Sequence, residues 1–168
     1  DRILGEKRGI SLTEFLHVKL FEPLGISNYL WEKSPEGTEK GGWGLYLCAE
    51  SWAKIGLMLM QDGCFEGRRI LSSDWVKRST QKHATAPMID GDFNYAYHMW
   101  VGRSTEEILF NGMLGQNVWI CPDNDLVVVM LCGNNEMEEA VAYWWDAEGR
   151  IVREEENRMA SIKNLDEF

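Results

Sequence analysis

The sequence is short of positive charge. Its 168 residues hold 17 Lys and Arg against 27 Asp and Glu, a formal net charge of −10. A nucleic acid or an anionic membrane surface is therefore a disfavoured partner. No apolar run comes near the ~20 residues that a membrane-spanning helix needs. Cysteine is sparse: Cys48, Cys64, Cys121 and Cys132 form no CxxC pair, too few in a chain this long for a disulfide scaffold. Buried thiols in a reducing compartment are the expectation, and with no signal peptide in view a cytoplasmic location is favoured. The three histidines, His17, His83 and His98, stand at no metal-ligand spacing with one another or with a cysteine. No zinc site is expected, and no cofactor. GxSxG, HExxH, Walker A and GxGxxG motifs are absent, as are internal repeats and low-complexity segments. The chain opens at Asp1-Arg2, without Met, as though part-way through a helix. That suggests a processed protein or a piece of a longer one.

What is present is the material of a packed domain: 45% hydrophobic residues and eight tryptophans. A chain of this size can bury roughly 70% of its unfolded surface. The stretch 110–135, FNGMLGQNVWICPDNDLVVVMLCGNN, organises the rest. A polar, glycine-punctuated opening (Asn111, Gly112, Gly115, Gln116) leads into an apolar strand at 118–121. A Pro/Asp/Asn turn follows, then a second apolar strand at 126–132. This pattern predicts an antiparallel hairpin. The second run does not alternate, which predicts a strand inside the sheet, covered on both faces.

Upstream, Ser11 and Glu14 form a capping box for a helix running to Phe21, which Pro23 stops. Leu24 and Ile26 return to the core. A polar loop at 31–38 and an irregular turn through Gly41-Gly42-Trp43-Gly44 are expected next. A helix at 49–61 is capped at Ser51 or just before it and ends at Asp62-Gly63. The 64–69 segment reads as a connection. Ser72 or Ser73 caps a short helix at 74–80, with Asp74 in its first turn. A loop at 83–92 precedes an aromatic, β-prone run at 94–101, in which alternation sets His98 with Ala96 and Trp100. With the strands that follow, this makes a meander. The end of the chain, 136–168, carries ten acidic and four basic residues, net −6. Helix is favoured to about Trp145, although 143–152 also reads as strand, turn, strand.

Candidate chemistry is scarce. His17, on a helix, and His98, in a strand, read as boundary or packed histidines, and His83 sits in a loop with no partner in view. The carboxylates lie mostly on solvated faces. Asn111-Gly112-Met113 stands apart: a glycine beside a polar side chain, with another glycine near, marks either a β-bulge or a backbone that something approaches closely.

Four segments together resemble a known family. Gly9-Ile10-Ser11-Leu12-Thr13-Glu14-Phe15-Leu16, continuing to Phe21-Glu22-Pro23-Leu24-Gly25-Ile26, looks like its G-x-S-L-x-E-F-L … F-x-P-L-G-M segment. Gly42-Trp43-Gly44-Leu45-Tyr46-Leu47, with Trp52-Ala53-Lys54-Ile55-Gly56, is similar to its G-G-L-x-x-T-x-x-D-x-A-K-F-G run. Gly67-Arg68-Arg69-Ile70-Leu71-Ser72, with Trp75-Val76, is like G-K-R-I-L-S-x-x-W-V. The segment from Gly112 to Val129 is similar to the strand pair carrying the [K/H]-[T/S]-G motif. In this order, over about residues 3 to 135, they resemble the C-terminal half of the serine hydrolases that include class C β-lactamases, penicillin-binding DD-peptidases and related esterases.

The resemblance implies an α+β fold, an antiparallel meander covered by helices, with 1–135 belonging to the hydrolase domain and 136–168 a C-terminal helix and acidic tail. It implies hydrolysis of an ester, amide or β-lactam through an acyl-serine. The family's nucleophile lies in a Ser-x-x-Lys motif and a second base or relay in Tyr-x-Asn, both upstream of the segment matching Asp1. A serine needs such a base to attack near neutral pH. The one similar tetrad, Ser51-Trp52-Ala53-Lys54, falls on a structural helix and reads as coincidence. The third motif departs: Phe110 stands for Lys or His, and Asn111 for Thr or Ser. Asn111 keeps a hydrogen-bonding role toward substrate, and Phe110 brings no charge. Gly112 allows close approach, and the backbone N–H of Met113 corresponds to an oxyanion-hole donor. The implied partners are the N-terminal half of the same domain, on this or a separate chain, and a small acyl substrate. An isolated chain of this kind is expected to be inactive and to self-associate. A catalytically degenerate binding module of the same fold is the competing reading.

Overall fold

The computed structural model describes residues 2–85 and 93–133. By internal contacts the chain divides into two compact units, residues 1–111 with 117–131, and 112–116 with 132–168.

The first unit begins with helix α1 (Arg2–Arg8), which ends at Gly9 in the left-handed region (φ +66°). The Ser11 hydroxyl accepts the Glu14 N–H at 3.1 Å, and the Glu14 carboxylate accepts the Ser11 N–H at 2.8 Å. This capping box starts α2 (Leu12–Leu16), which continues as a π-helical turn, His17–Phe21. The chain then turns through Pro23, and Phe21, Leu24 and Ile26 lie in the core.

Strands β1 (Tyr29–Trp31) and β2 (Leu45–Leu47) pair antiparallel. The connection between them is more ordered than a polar loop: Lys33 and Glu39 form an isolated bridge. Glu39 is 3% exposed, accepts a hydrogen bond from the Thr13 hydroxyl at 2.9 Å and faces the Lys33 ammonium at 3.3 Å. That carboxylate ties α2 to the loop.

Helix α3 (Ala49–Met60) buries Ile55, Gly56, Met58 and Leu59. Its N-cap is Cys48, not Ser51. Asp62 and Gly63 end it, both with positive φ. The segment expected as a plain connection is a two-residue ladder, β3 (Cys64–Phe65) against β4 (Arg68–Arg69). Ser72 caps α4 (Ser73–Ser79) by accepting the Trp75 N–H at 3.2 Å, with Asp74 in the first turn.

The main sheet is a meander in the order β10-β9-β8-β7-β6-β5, each strand beside its sequence neighbour. Its strands are β5 (Ala84–Thr85), β6 (Phe93–Tyr95), β7 (Trp100–Gly102), β8 (Ile108–Gly112), β9 (Gln116–Cys121) and β10 (Leu126–Leu131). Helices together with these antiparallel sheets make the fold α+β.

Two expectations are corrected here. The aromatic run 94–101 is two strands joined by a tight turn, with Asn94 opposite Val101. His98 is exposed in that turn at φ +57°, not set in a strand with Ala96 and Trp100. No Gly or Pro marks this turn, and histidine is one of the residues that tolerates the left-handed region. Strand β10, expected inside the sheet, is its edge among the described residues. Val127 and Val129 pack on the core, while Leu126, Val128 and Leu131 are 49%, 39% and 45% exposed. An unbroken apolar run does not distinguish a strand with two covered faces from one with an exposed apolar face.

The thiols are also less buried than expected. Cys48 and Cys132 are exposed, Cys64 and Cys121 are half-buried, and all four are free. Flanking apolar residues were a poor guide because Cys48 caps a helix and Cys132 lies just past the end of β10. Most of the 83–92 loop, the proposed 136–145 helix and the acidic tail fall outside the described residues.

Candidate functional site

The residues singled out by sequence, Phe110, Asn111, Gly112 and Met113, follow one another from the end of β8 into the next turn. Gly112 is the last residue of that strand and not an early one. Successive side chains of a strand point to opposite faces. Phe110 is half-buried and turns toward α3, where its ring meets Trp52 edge-on (centroids 6.3 Å apart, planes at 66°). The phenyl ring is therefore a packing element. Asn111 lies on the other face, exposed, and its Nδ2 donates to Asn117 Oδ1 of β9 at 2.9 Å.

In the second unit, Gly112 has an ordinary extended backbone (φ −115°, ψ 158°). Its need for glycine is steric: a Cβ there would lie 3.2 Å from the Gln116 carbonyl oxygen and 3.3 Å from Gln116 Cβ. The group that approaches the Gly112 backbone here is the chain's own Gln116. Met113 opens a 3-10 turn with its side chain 71% exposed. Leu114 and Gly115 follow with φ of +65° and +81°.

From Ile108 to Pro122 the only ionisable side chain is Cys121. Its thiol is pushed above the ordinary value by burial, with Glu107 and Asp123 adding to the shift. This strand pair is therefore an uncharged surface at neutral pH.

The Ser51–Lys54 tetrad does not form a nucleophile. Ser51 is buried, and its hydroxyl meets Cys48 Sγ at 3.2 Å. Lys54 is held by Glu50 at 3.0 Å. A serine with neither access nor an adjacent base cannot be acylated. The partner it does have, Cys48, escaped the sequence reading as a site. Cys48 stands at the N-cap position of α3 with its thiol exposed, and hydrogen bonds from the Ser51 side chain and then its backbone hold its pKa below the ordinary thiol value. A cysteine immediately before a helix is the signal that marks it.

The histidines are structural or peripheral. His17 Nδ1 meets the Tyr29 hydroxyl at 3.0 Å. His83, partnerless in sequence, stacks on Tyr97 with centroids 4.2 Å apart, and its Nε2 meets the Arg78 carbonyl at 2.8 Å. Among the described residues no three His, Cys, Asp or Glu side chains converge on a metal position. Among the described residues, Asn117 is a neighbour of the candidate site that sequence reasoning missed. A polar residue at the start of an otherwise apolar strand was its only signal.

Comparison with known proteins follows this geometry. No protein-family model matches the chain. It is 26% identical over 125 residues to the 6-aminohexanoate-dimer hydrolase of Paenarthrobacter ureafaciens, a match covering 63% of this chain and 32% of that protein. The chain thus spans about a third of the length of the curated relative it matches. A candidate 6-aminohexanoate-dimer hydrolase from Bacillus anthracis superposes with a TM-score of 0.69 at 22% identity, covering 84% of this chain and 38% of the other. A novel penicillin-binding protein homologue from Caulobacter crescentus gives 0.59 at 13% identity, covering 79% and 49%. A candidate β-lactamase from Bacteroides dorei DSM 17855 gives 0.59 at 14% identity, covering 89% and 50%. These relatives are hydrolases and homologues of the β-lactamase and penicillin-binding group.

Proposed function

We propose that this chain, whose fold is the serine β-lactamase/transpeptidase fold, is the C-terminal part of a serine hydrolase. In this reading it cleaves an amide or ester through an acyl-serine, and the nucleophile comes from residues outside 1–168. The observation that carries the reading is the likeness to an amide-cleaving relative over 125 residues, joined to an uncharged strand end at Phe110–Met113 where the resemblance places the acyl pocket. The relative is described as acting on the 6-aminohexanoate dimer, which favours a linear amide here over a β-lactam.

The division of labour follows from chemistry. The upstream part supplies a serine with its base, since an unassisted hydroxyl is a weak nucleophile. This chain supplies polarisation and positioning. The Met113 backbone N–H stabilises the oxyanion of the tetrahedral intermediate, a role worth roughly 10²–10³ in rate where such a donor has been removed. It survives any side-chain change because it uses the backbone. Gly112 gives the backbone the room it needs, and Asn111 hydrogen-bonds the substrate. By itself the chain is inactive.

A second reading, a degenerate binding module, is favoured by two observations. The ring of Phe110 is committed to Trp52, so position 110 itself offers no cation to assist acyl transfer. Leu126 and Val128 on one face of β10, and Leu131 on the other, are exposed apolar side chains, which either the N-terminal half of the domain or a second copy could cover. Treating the whole gene product with a fluorophosphonate probe and measuring its intact mass separates the two. A single covalent adduct on a serine outside this chain supports the hydrolase, and an unlabelled protein rejects it.

A further inference from the structure

We propose that the cleft at the junction of α1, α2 and the π-helical turn binds a small amphipathic carboxylate, an apolar chain ending in one anionic head. The site uses none of the residues 110–117 and does not depend on the hydrolase reading.

The cleft has a volume of about 500 Å³, within the usual range for small-molecule sites. Ile10, Phe15 and Val18 form its apolar wall, and Val18 stands there 56% exposed. The wall is shaped by the π turn, in which the Glu22 N–H reaches back to the His17 carbonyl at 2.8 Å. Such turns are rare and gather at functional sites. A π turn holds more residues than an α turn, so consecutive side chains fan out less. His17, Val18 and Lys19 all line the cleft.

The charged groups around this space are Arg8, Lys19 and Glu14. Glu14 is committed elsewhere: its carboxylate accepts the Ser11 N–H at 2.8 Å, and its bonds with Ser11 hold its pKa below the ordinary value. Arg8 and Lys19 have no hydrogen bond or ion pair among the described residues. Two cations against one carboxylate leave a surplus of one positive charge, in a chain of net charge −10. The neutral polar groups do not supply a competing acceptor. The Thr13 hydroxyl donates to Glu39. His17 Nδ1 and the Tyr29 hydroxyl meet each other at 3.0 Å, and with that hydroxyl as donor the Nε2–H of His17 is a further donor. A carboxylate accepts only and carries a single charge, so it matches both the donors and the surplus. Its chain lies on the apolar wall.

The test is titration calorimetry on the whole gene product with sodium octanoate and with octylammonium. One octanoate should bind per chain with a Kd on the order of 1 mM or tighter, more weakly as salt rises. Octylammonium should bind at least ~10-fold more weakly. Arg8→Gln and Lys19→Gln should each weaken octanoate about 3-fold. Val18→Glu, which sets a carboxylate on the apolar wall, should weaken it at least ~10-fold. All three residues are exposed, so the urea midpoint should not move. Labelling with the fluorophosphonate probe should leave octanoate binding unchanged. Octanoate binding that labelling abolishes, or that survives the three substitutions, places the ligand elsewhere and overturns the proposal. Equal binding of octylammonium also overturns it, and so does no octanoate binding, whether the cleft is empty or filled by another part of the gene product. Failure to label strikes the hydrolase reading alone.

Discussion

Replacing Gly56 with alanine tests how α3 is seated on the sheet. Ala is favoured over Gly in a helix interior by about 1 kcal/mol, so helix propensity alone predicts a more stable protein. The structure predicts the reverse. A Cβ at position 56 would lie 2.7 Å from Val127 Cγ1, with Ile120 Cγ1 at 3.4 Å and Val118 Cγ1 at 3.5 Å. Carbon atoms pack best at roughly 3.5–4.0 Å. Two contacts are therefore acceptable and one is about 1 Å too short. Val127 is β-branched and stiff at χ1, so relief requires the helix or strand to move, and overpacking of this kind costs about 1–3 kcal/mol. Gly56→Ala should then destabilise by about 1 kcal/mol net. Val127→Ala removes two methyl groups and should cost about 2 kcal/mol from transfer and cavity effects. The double variant is the decisive one. With the Val127 methyl gone the new Cβ fits, and the helix gain reappears. The pair should come out near 1 kcal/mol destabilised where additivity predicts about 3, a coupling of about 2 kcal/mol. Urea unfolding followed by tryptophan fluorescence gives all four values, provided that the m-values agree. Additivity within about 0.5 kcal/mol, or a single Gly56→Ala variant that is stabilised, would refute this packing.

Gly63→Ala should be more severe, with at least ~2 kcal/mol lost in the same assay, because φ is +84° and the new Cβ would sit 2.4 Å from the Leu71 carbonyl oxygen. Ser72→Ala should cost about 1 kcal/mol by removing the cap that accepts the Trp75 N–H, and Ser72→Asp should restore most of it. Burial is the largest influence on Glu39 and raises its pKa, but the Thr13 hydroxyl, its own backbone and Lys33 outweigh burial and hold the carboxyl below its ordinary value. Because the folded pKa is the lower one, the ionised group stabilises the fold above the unfolded value of about 4.3, and this stability is lost as pH falls through the folded value. Glu39→Gln should therefore lower the urea midpoint at pH 7, with the gap closing below about pH 4; a gap independent of pH would show that ionisation plays no part.

Local chemistry was legible wherever one residue type has one dominant physical use. Ser11 with Glu14, Ser72 before Trp75, and the break at Pro23 each place a helix end, because caps and prolines act on backbone groups within a few residues of themselves. The meander was legible for the same reason, since hairpin neighbours are near in sequence. What the sequence did not disclose was non-local or side-chain specific. The edge position of β10 depends on what lies beside it, and an apolar strand is a poor witness to that. The turn at His98 hides in a run of β-prone aromatics because nothing there forbids a strand; the turn is fixed by Asn94 meeting Val101 across it.

The candidate site divides along the same line. That 110–111 carries no charge could be read directly, and so could the glycine at 112. Sequence alone left Phe110 as a lost cation and nothing more. The structure turns the loss into a commitment, since a ring packed against Trp52 fixes the α3 face of β8 and so sends Asn111 to the other. There it finds Asn117, six residues on, across the turn. A lone asparagine is too generic to select a substrate. Two bonded asparagines on a strand end without charge present a defined set of donors and acceptors. That pairing is visible only in the structure, because five intervening residues separate its members in sequence.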